Sequence, residues 1–100
     1  MAKQKIIWSP EAKKELKEIL KFYHKRNGNK IYSNKLNQAF KETTKHIREH
    51  NFLGHPTDYE SVRVIVSGVY LIFYEIKKDT IEIFKLWDGR RSSEEINLKY

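Results

Sequence analysis

One hundred residues leave room for one domain, and 39% apolar with 13% aromatic side chains supply enough material for one core. The chain has no cysteine, which excludes disulfide scaffolds, zinc ribbons and thiol chemistry together. Its longest apolar run, residues 69–74, falls far short of the roughly 20 residues that cross a membrane, and its N-terminus leads into a strand with no signal-peptide apolar region, so a soluble cytoplasmic protein is expected. The net charge of +7 is unevenly spread. Residues 1–50 carry 13 basic and 5 acidic side chains, net +8, whereas residues 51–100 carry 7 and 8, net −1. A basic first half implies an anionic partner (nucleic acid, ribosome or an acidic protein), against the plainer reading of a solvated lysine-rich helix face.

In chain order, residues 4–8 read as a short strand ended by Ser9-Pro10. Ser9 is a good N-cap and Pro10 suits the first helical position, where its missing N–H costs nothing. Ala12, Leu16, Ile19, Leu20 and Tyr23 then recur at helical spacing, until Asn27-Gly28-Asn29 stops the helix. A second helix carries Ile31, Leu36, Phe40, Thr43 and Ile47 on one stripe and ends at residues 49–51. Two helices joined by a short turn make an antiparallel hairpin, and each has an apolar stripe that needs something flat to cover. Residues 52–59 read as loop, 61–66, 69–76 and 81–87 as strands, and Ser67-Gly68 and residues 77–80 as turns. In the middle strand Tyr70, Ile72, Tyr74 and Ile76 share one face and Val69, Leu71 and Phe73 the other, which predicts a central strand buried on both sides or a face left for a partner. The expected architecture is α+β, a single domain over 1–100 in the order β-α-α-β-β-β, with the helical hairpin packed on a small, mainly antiparallel sheet.

Three constellations bear on chemistry. His46-Ile47-Arg48-Glu49-His50 has the spacing of an inverted zinc-protease motif, but a third ligand held on a further helix is missing; two surface histidines near a helix C-terminus explain it more cheaply, and no metal or cofactor is expected. Asp88-Gly89-Arg90-Arg91 ends the last strand. Its two guanidinium groups beside a glycine would clamp phosphate or carboxylate, or pair with Asp88 or Glu94. Arg63 alternates with Ile65 and would line a phosphate site or pair with Glu60 or Glu75. Tyr70, Phe73, Tyr74 and Phe84 are expected in the core rather than as base-stacking platforms.

Taken together, these residues resemble the RelE/ParE superfamily of type II toxins. The matches are Ile7-Trp8-Ser9-Pro10-Glu11-Ala12, Gly54-His55-Pro56, Val62-Arg63, Tyr70-Leu71-Ile72-Phe73-Tyr74-Glu75-Ile76, and Ile81-Glu82-Ile83-Phe84-Lys85-Leu86-Trp87-Asp88-Gly89-Arg90-Arg91. The likeness runs through nearly the whole chain in matching element order. It implies a growth-inhibiting toxin encoded beside an antitoxin whose acidic C-terminal segment wraps it, giving a hetero-oligomer.

The superfamily splits by target, one branch cutting mRNA on the ribosome and the ParE branch poisoning DNA gyrase. Cleavage through a 2′-OH needs a base, an acid and cations on the phosphate. Where the resemblance places an arginine ahead of the middle-strand tyrosine, this chain has Leu71. Thr57 replaces a glutamate base after the Gly-x-Pro turn, and Trp87-Asp88 and then Ile96 stand where a histidine or tyrosine acid is expected. Arg63, Arg90 and Arg91 keep phosphate attraction, with His50, His55 and Lys85 as substitutes that no spacing requires. The expectation is a ParE-like toxin acting by binding, with Trp87, Asp88, Arg90 and Arg91 and the helical hairpin as contact surfaces. The alternatives are a ribosome-dependent endonuclease using the three arginines and a non-toxic antitoxin-binding relative.

Overall fold

The computed structural model describes residues 4–90. The first strand, β1 (Lys5–Trp8), ends at Ser9, whose extended backbone (φ −63°, ψ 158°) sets its hydroxyl to accept the Ala12 N–H at 3.1 Å. Helix α1 (Pro10–Asn27) therefore starts on a side-chain cap with proline in its first turn, as expected. It stops at Gly28, left-handed at φ +73°, whose N–H donates to the His24 carbonyl. Helix α2 (Ile31–Glu49) follows, and Asn51 closes its far end by donating Nδ2 to the Ile47 carbonyl at 2.9 Å. Among the described residues, no helix is long and apolar enough to cross a membrane.

The remaining strands are β2 (His55–Pro56), β3 (Val62–Ser67), β4 (Tyr70–Ile76) and β5 (Thr80–Asp88). They form one sheet in the order β1-β5-β4-β3-β2, antiparallel except where β1 runs parallel to β5. Two features differ from the sequence reading. The segment read as loop, residues 52–59, contributes the two-residue edge strand β2, which pairs His55 with Val64 and Pro56 with Arg63. Proline fits there because an edge position asks nothing of its missing N–H. The second difference is a register shift in β5: Tyr74 pairs with Ile83 and Phe73 with Lys85, so Phe84 is an extra residue. The bulge reverses the alternation, which is why Ile81, Ile83 and then Leu86 face the helices.

The helices cover one face of the sheet over a core that includes Phe40, Ile47, Ile72, Tyr74, Ile81 and Ile83, all 0% exposed. Val62, Phe73, Phe84 and Trp87 form a second buried cluster, with Val64 and Leu71 packed against it. On this second face of the middle strand Phe73 is buried and Leu71 half-buried, whereas Val69 just ahead of β4 is 43% exposed. The four strand aromatics are core residues, as expected.

Candidate functional site

Beyond Trp8 the chain leaves the sheet to become α1, so the edge of β5 past Ile83 loses its strand partner. Ser9 caps the break: its N–H donates to the Ile83 carbonyl at 2.9 Å and its hydroxyl to that of Phe84 at 3.4 Å. One turn into the helix, the Glu15 carboxylate accepts the Leu86 N–H at 3.2 Å and so takes the place of a strand. Lys85, only 8% exposed, reaches the same end of α1, with Nζ 3.2 Å from Glu11 and 4.0 Å from Glu15. That contact makes it a structural ion pair rather than a free acid.

Further along this edge a groove of about 360 Å³ opens between α1 and the ends of β4 and β5, lined by Glu15, Glu18, Phe22, Tyr23, Tyr70 and Arg90 among others. Tyr70 donates its hydroxyl to that of Tyr23 at 3.3 Å. Accepting this bond, with the Arg90 guanidinium also nearby, lowers the pKa of Tyr23, whereas burial and the same bond raise that of Tyr70. Glu15 is raised chiefly by burial, which outweighs the Leu86 N–H and Lys85. A carboxyl with a raised folded-state pKa contributes stability below its ordinary value of 4.5 and loses it as pH rises through the folded value. Glu15→Gln keeps an acceptor for Leu86 but cannot titrate. Its stability relative to the parent should therefore rise with pH across that window in urea melts, and parallel curves would refute this account of Glu15.

Of the residues expected in the site, Asp88 and Arg90 come together. Arg90 donates Nε and Nη2 to the two carboxylate oxygens of Asp88 at 2.9 and 2.7 Å, and its own N–H adds a third bond. Gly89 donates to the Val69 carbonyl at 2.7 Å, with no room there for a Cβ. Trp87 points to the opposite face of the sheet, in the second cluster, 6% exposed. Arg91 lies outside the described residues.

Arg63 stands apart. Its Nη1 donates to the carbonyls of Gly54 and Phe52 at 2.5 and 3.4 Å, and its guanidinium lies 4.9 Å from the Phe52 ring centroid. The carboxylates of Glu60 and Glu75 are not its partners; Glu75 accepts from Ser61 and lies 3.9 Å from Lys77. His46 and His50 are exposed at the end of α2 and His55 is exposed on β2. Among the described residues no three His, Cys, Asp or Glu side chains converge as a metal site would require. Sequence reasoning missed Glu15, Glu18 and the hydroxyl pair, because Tyr23 reads as part of the α1 stripe and no local pattern marks its partner 47 residues on.

The family model described as "ParE toxin of type II toxin-antitoxin system, parDE" matches residues 6–93. Among solved structures, one described as "Chromosomal ParDE TA system from P. aeruginosa" superposes with a TM-score of 0.73, at 19% sequence identity, covering 85% of this chain and 95% of that chain. At that identity the likeness speaks for the fold alone. No curated protein matches.

Proposed function

Because the chain belongs to the ParE toxin family of type II toxin–antitoxin systems, we propose that it arrests growth by binding an essential target, DNA gyrase, rather than by cutting RNA. The observation that carries this reading is the commitment of its cations. Of the arginines that would hold a scissile phosphate, Arg63 is engaged by backbone carbonyls and Arg90 by Asp88. The groove beside Arg90 carries Glu15, Glu18 and Asp88, a setting that repels phosphate. The Asp88–Arg90 turn and the hairpin side of the groove instead offer a fixed polar surface to a protein.

Neutralisation follows from a different place. A cleft of about 370 Å³ is lined by Trp8, Leu16 and Leu20 with Lys13 and Lys17 at its rim. An acidic amphipathic segment of a cognate antitoxin would bury its apolar stripe there and set carboxylates on the lysines.

Pulse labelling in the first minutes after induction tests the target: thymidine incorporation should fall before amino-acid incorporation, and the reverse order would return the ribosome to first place. Arg90→Ala should relieve the arrest, raising surviving colonies at least tenfold; arrest undiminished by the change would remove Arg90 from the contact surface.

A further inference from the structure

The exposed guanidinium of Arg90 is surrounded by more order than its carboxylate partner supplies. Tyr70 and Asp88 stand directly opposite each other where β4 pairs with β5, so their side chains rise from the same face of the sheet. Helix α1 brings Tyr23 to that pair, where its hydroxyl oxygen accepts the Tyr70 O–H at 3.3 Å. Asp88 grips Arg90 through Nε and Nη2, and the same guanidinium reaches the Tyr23 hydroxyl. The backbone leading to it is fixed as well, by Gly89 on the Val69 carbonyl and by the Arg90 N–H on Asp88. We infer, on the reading that Arg90 contacts the target, that Tyr23 is a positioning residue that keeps the Arg90 guanidinium in one orientation, and that Tyr70 fixes Tyr23 in turn.

Both phenols are braced by rings of α2. Tyr32 meets Tyr23 edge to face with centroids 4.7 Å apart, and Phe40 meets Tyr70 in the same way at 5.6 Å. The Tyr23 hydroxyl therefore stays where Arg90 finds it. Asp88 lies two residues from Arg90 on the same chain end, so the pair alone would swing as a unit. Tyr23 comes from another element and ties that unit to the body of the domain. The electrostatics agree with the geometry: the bond from Tyr70, and then Arg90, lower the pKa of Tyr23 against the effect of burial, while Asp88 and then Tyr23 raise that of Arg90. A surface arginine otherwise samples many rotamers, and freezing them on binding costs affinity. One held in place beforehand meets its partner without that cost.

The test is Tyr23→Phe, which keeps the ring and removes the hydroxyl; its melting temperature will show that it is folded. In arginine side-chain NMR of the purified full chain, the order parameter of the Arg90 Nε–H should fall to the flexible range, below about 0.6. Affinity for purified DNA gyrase should fall about two- to tenfold, the span expected when one long side chain must be ordered on binding. In an Arg90→Ala background the same change should cost nothing further, because Tyr23 acts through Arg90. Tyr70→Phe should move both readouts in the same direction by less, and Tyr59→Phe, in the loop ahead of β3, should move neither. An Arg90 signal as rigid in Tyr23→Phe as in the parent overturns the proposal. So does an equal loss of affinity with and without Arg90, since Tyr23 then touches the target itself. Where the parent does not bind gyrase, or Arg90→Ala binds it as tightly, the target reading fails instead, and the Arg90 order parameter alone decides whether Tyr23 holds the guanidinium.

Discussion

Gly54→Ala will cost the fold about 3 kcal/mol or more, and the melting temperature will fall by more than roughly 10 °C. The cause is contact, not backbone conformation. A Cβ at Gly54 would sit 2.8 Å from the Tyr74 hydroxyl and 2.8 Å from the Val64 carbonyl oxygen, and neither atom can move cheaply. The Val64 carbonyl is part of β3. Tyr74 is 0% exposed, accepts the Gly54 N–H at 2.9 Å and donates to the Asn51 carbonyl at 2.8 Å. Displacing it leaves those partners without water or protein to satisfy them, at about 1–3 kcal/mol for each buried group. Gly28→Ala is the control. Nothing lies within 4 Å of its Cβ position, so its cost is the left-handed backbone alone, about 1–2 kcal/mol. Urea melts of the two variants will separate the mechanisms, and equal losses would show that the close approach at Gly54 carries no special energy. Loss of the anchor would also free Arg63, whose guanidinium is held by the carbonyls of Phe52 and Gly54 in the same loop.

Phe40→Ala is the second large effect, about 3–5 kcal/mol. Phe40 is 0% exposed and meets Tyr70 edge to face with centroids 5.6 Å apart, so it joins α2 to the centre of the sheet. Against a total stability of about 5–15 kcal/mol for a domain, the alanine variant will be largely unfolded at growth temperature. Phe40→Leu keeps most of the volume and should cost less than about 1.5 kcal/mol. The milder variant also reads out the site, because Tyr70 donates to Tyr23 in the groove. Its tyrosine titration at high pH should lose the separation between the two hydroxyls. A melting temperature unchanged by the alanine substitution would mean that α2 is not anchored through this ring.

Much of the fold is written locally. Ser9-Pro10, Asn27-Gly28 and Ser67-Gly68 mark their breaks by caps and left-handed glycines, and those breaks stand where the sequence places them. The bulge at Phe84 does not show, because strict alternation through β5 would put Lys85 with Ile81 and Ile83, and only the neighbouring strand and α1 decide otherwise. The edge strand β2 is too short, and too proline-bound, to leave a pattern. The site is less legible than the fold for a related reason. The pairing of Arg90 with Asp88 is local and was open to view, whereas the partners of Arg63 are backbone carbonyls, which have no letter in the sequence. Lys85 reads as a free cation until α1 is seen to bring Glu11 and Glu15 to it from 74 and 70 positions away.

The parallel pairing of β1 with β5 sets the order in which the molecule becomes whole. Lys5 finds its partner only at Thr80, and β5 lies between β1 and β4. The β3–β4 hairpin closes early, through neighbours joined by a tight turn at Gly68. The helical hairpin forms as locally, and Phe40 of α2 has Tyr70 of β4 to settle on, but the strand partner of α1 is β5 and is missing until the last strand enters the sheet. The molecule thus stays incomplete until residues 80–88 have joined the sheet, its tyrosine groove and its Glu15 seal both waiting for them.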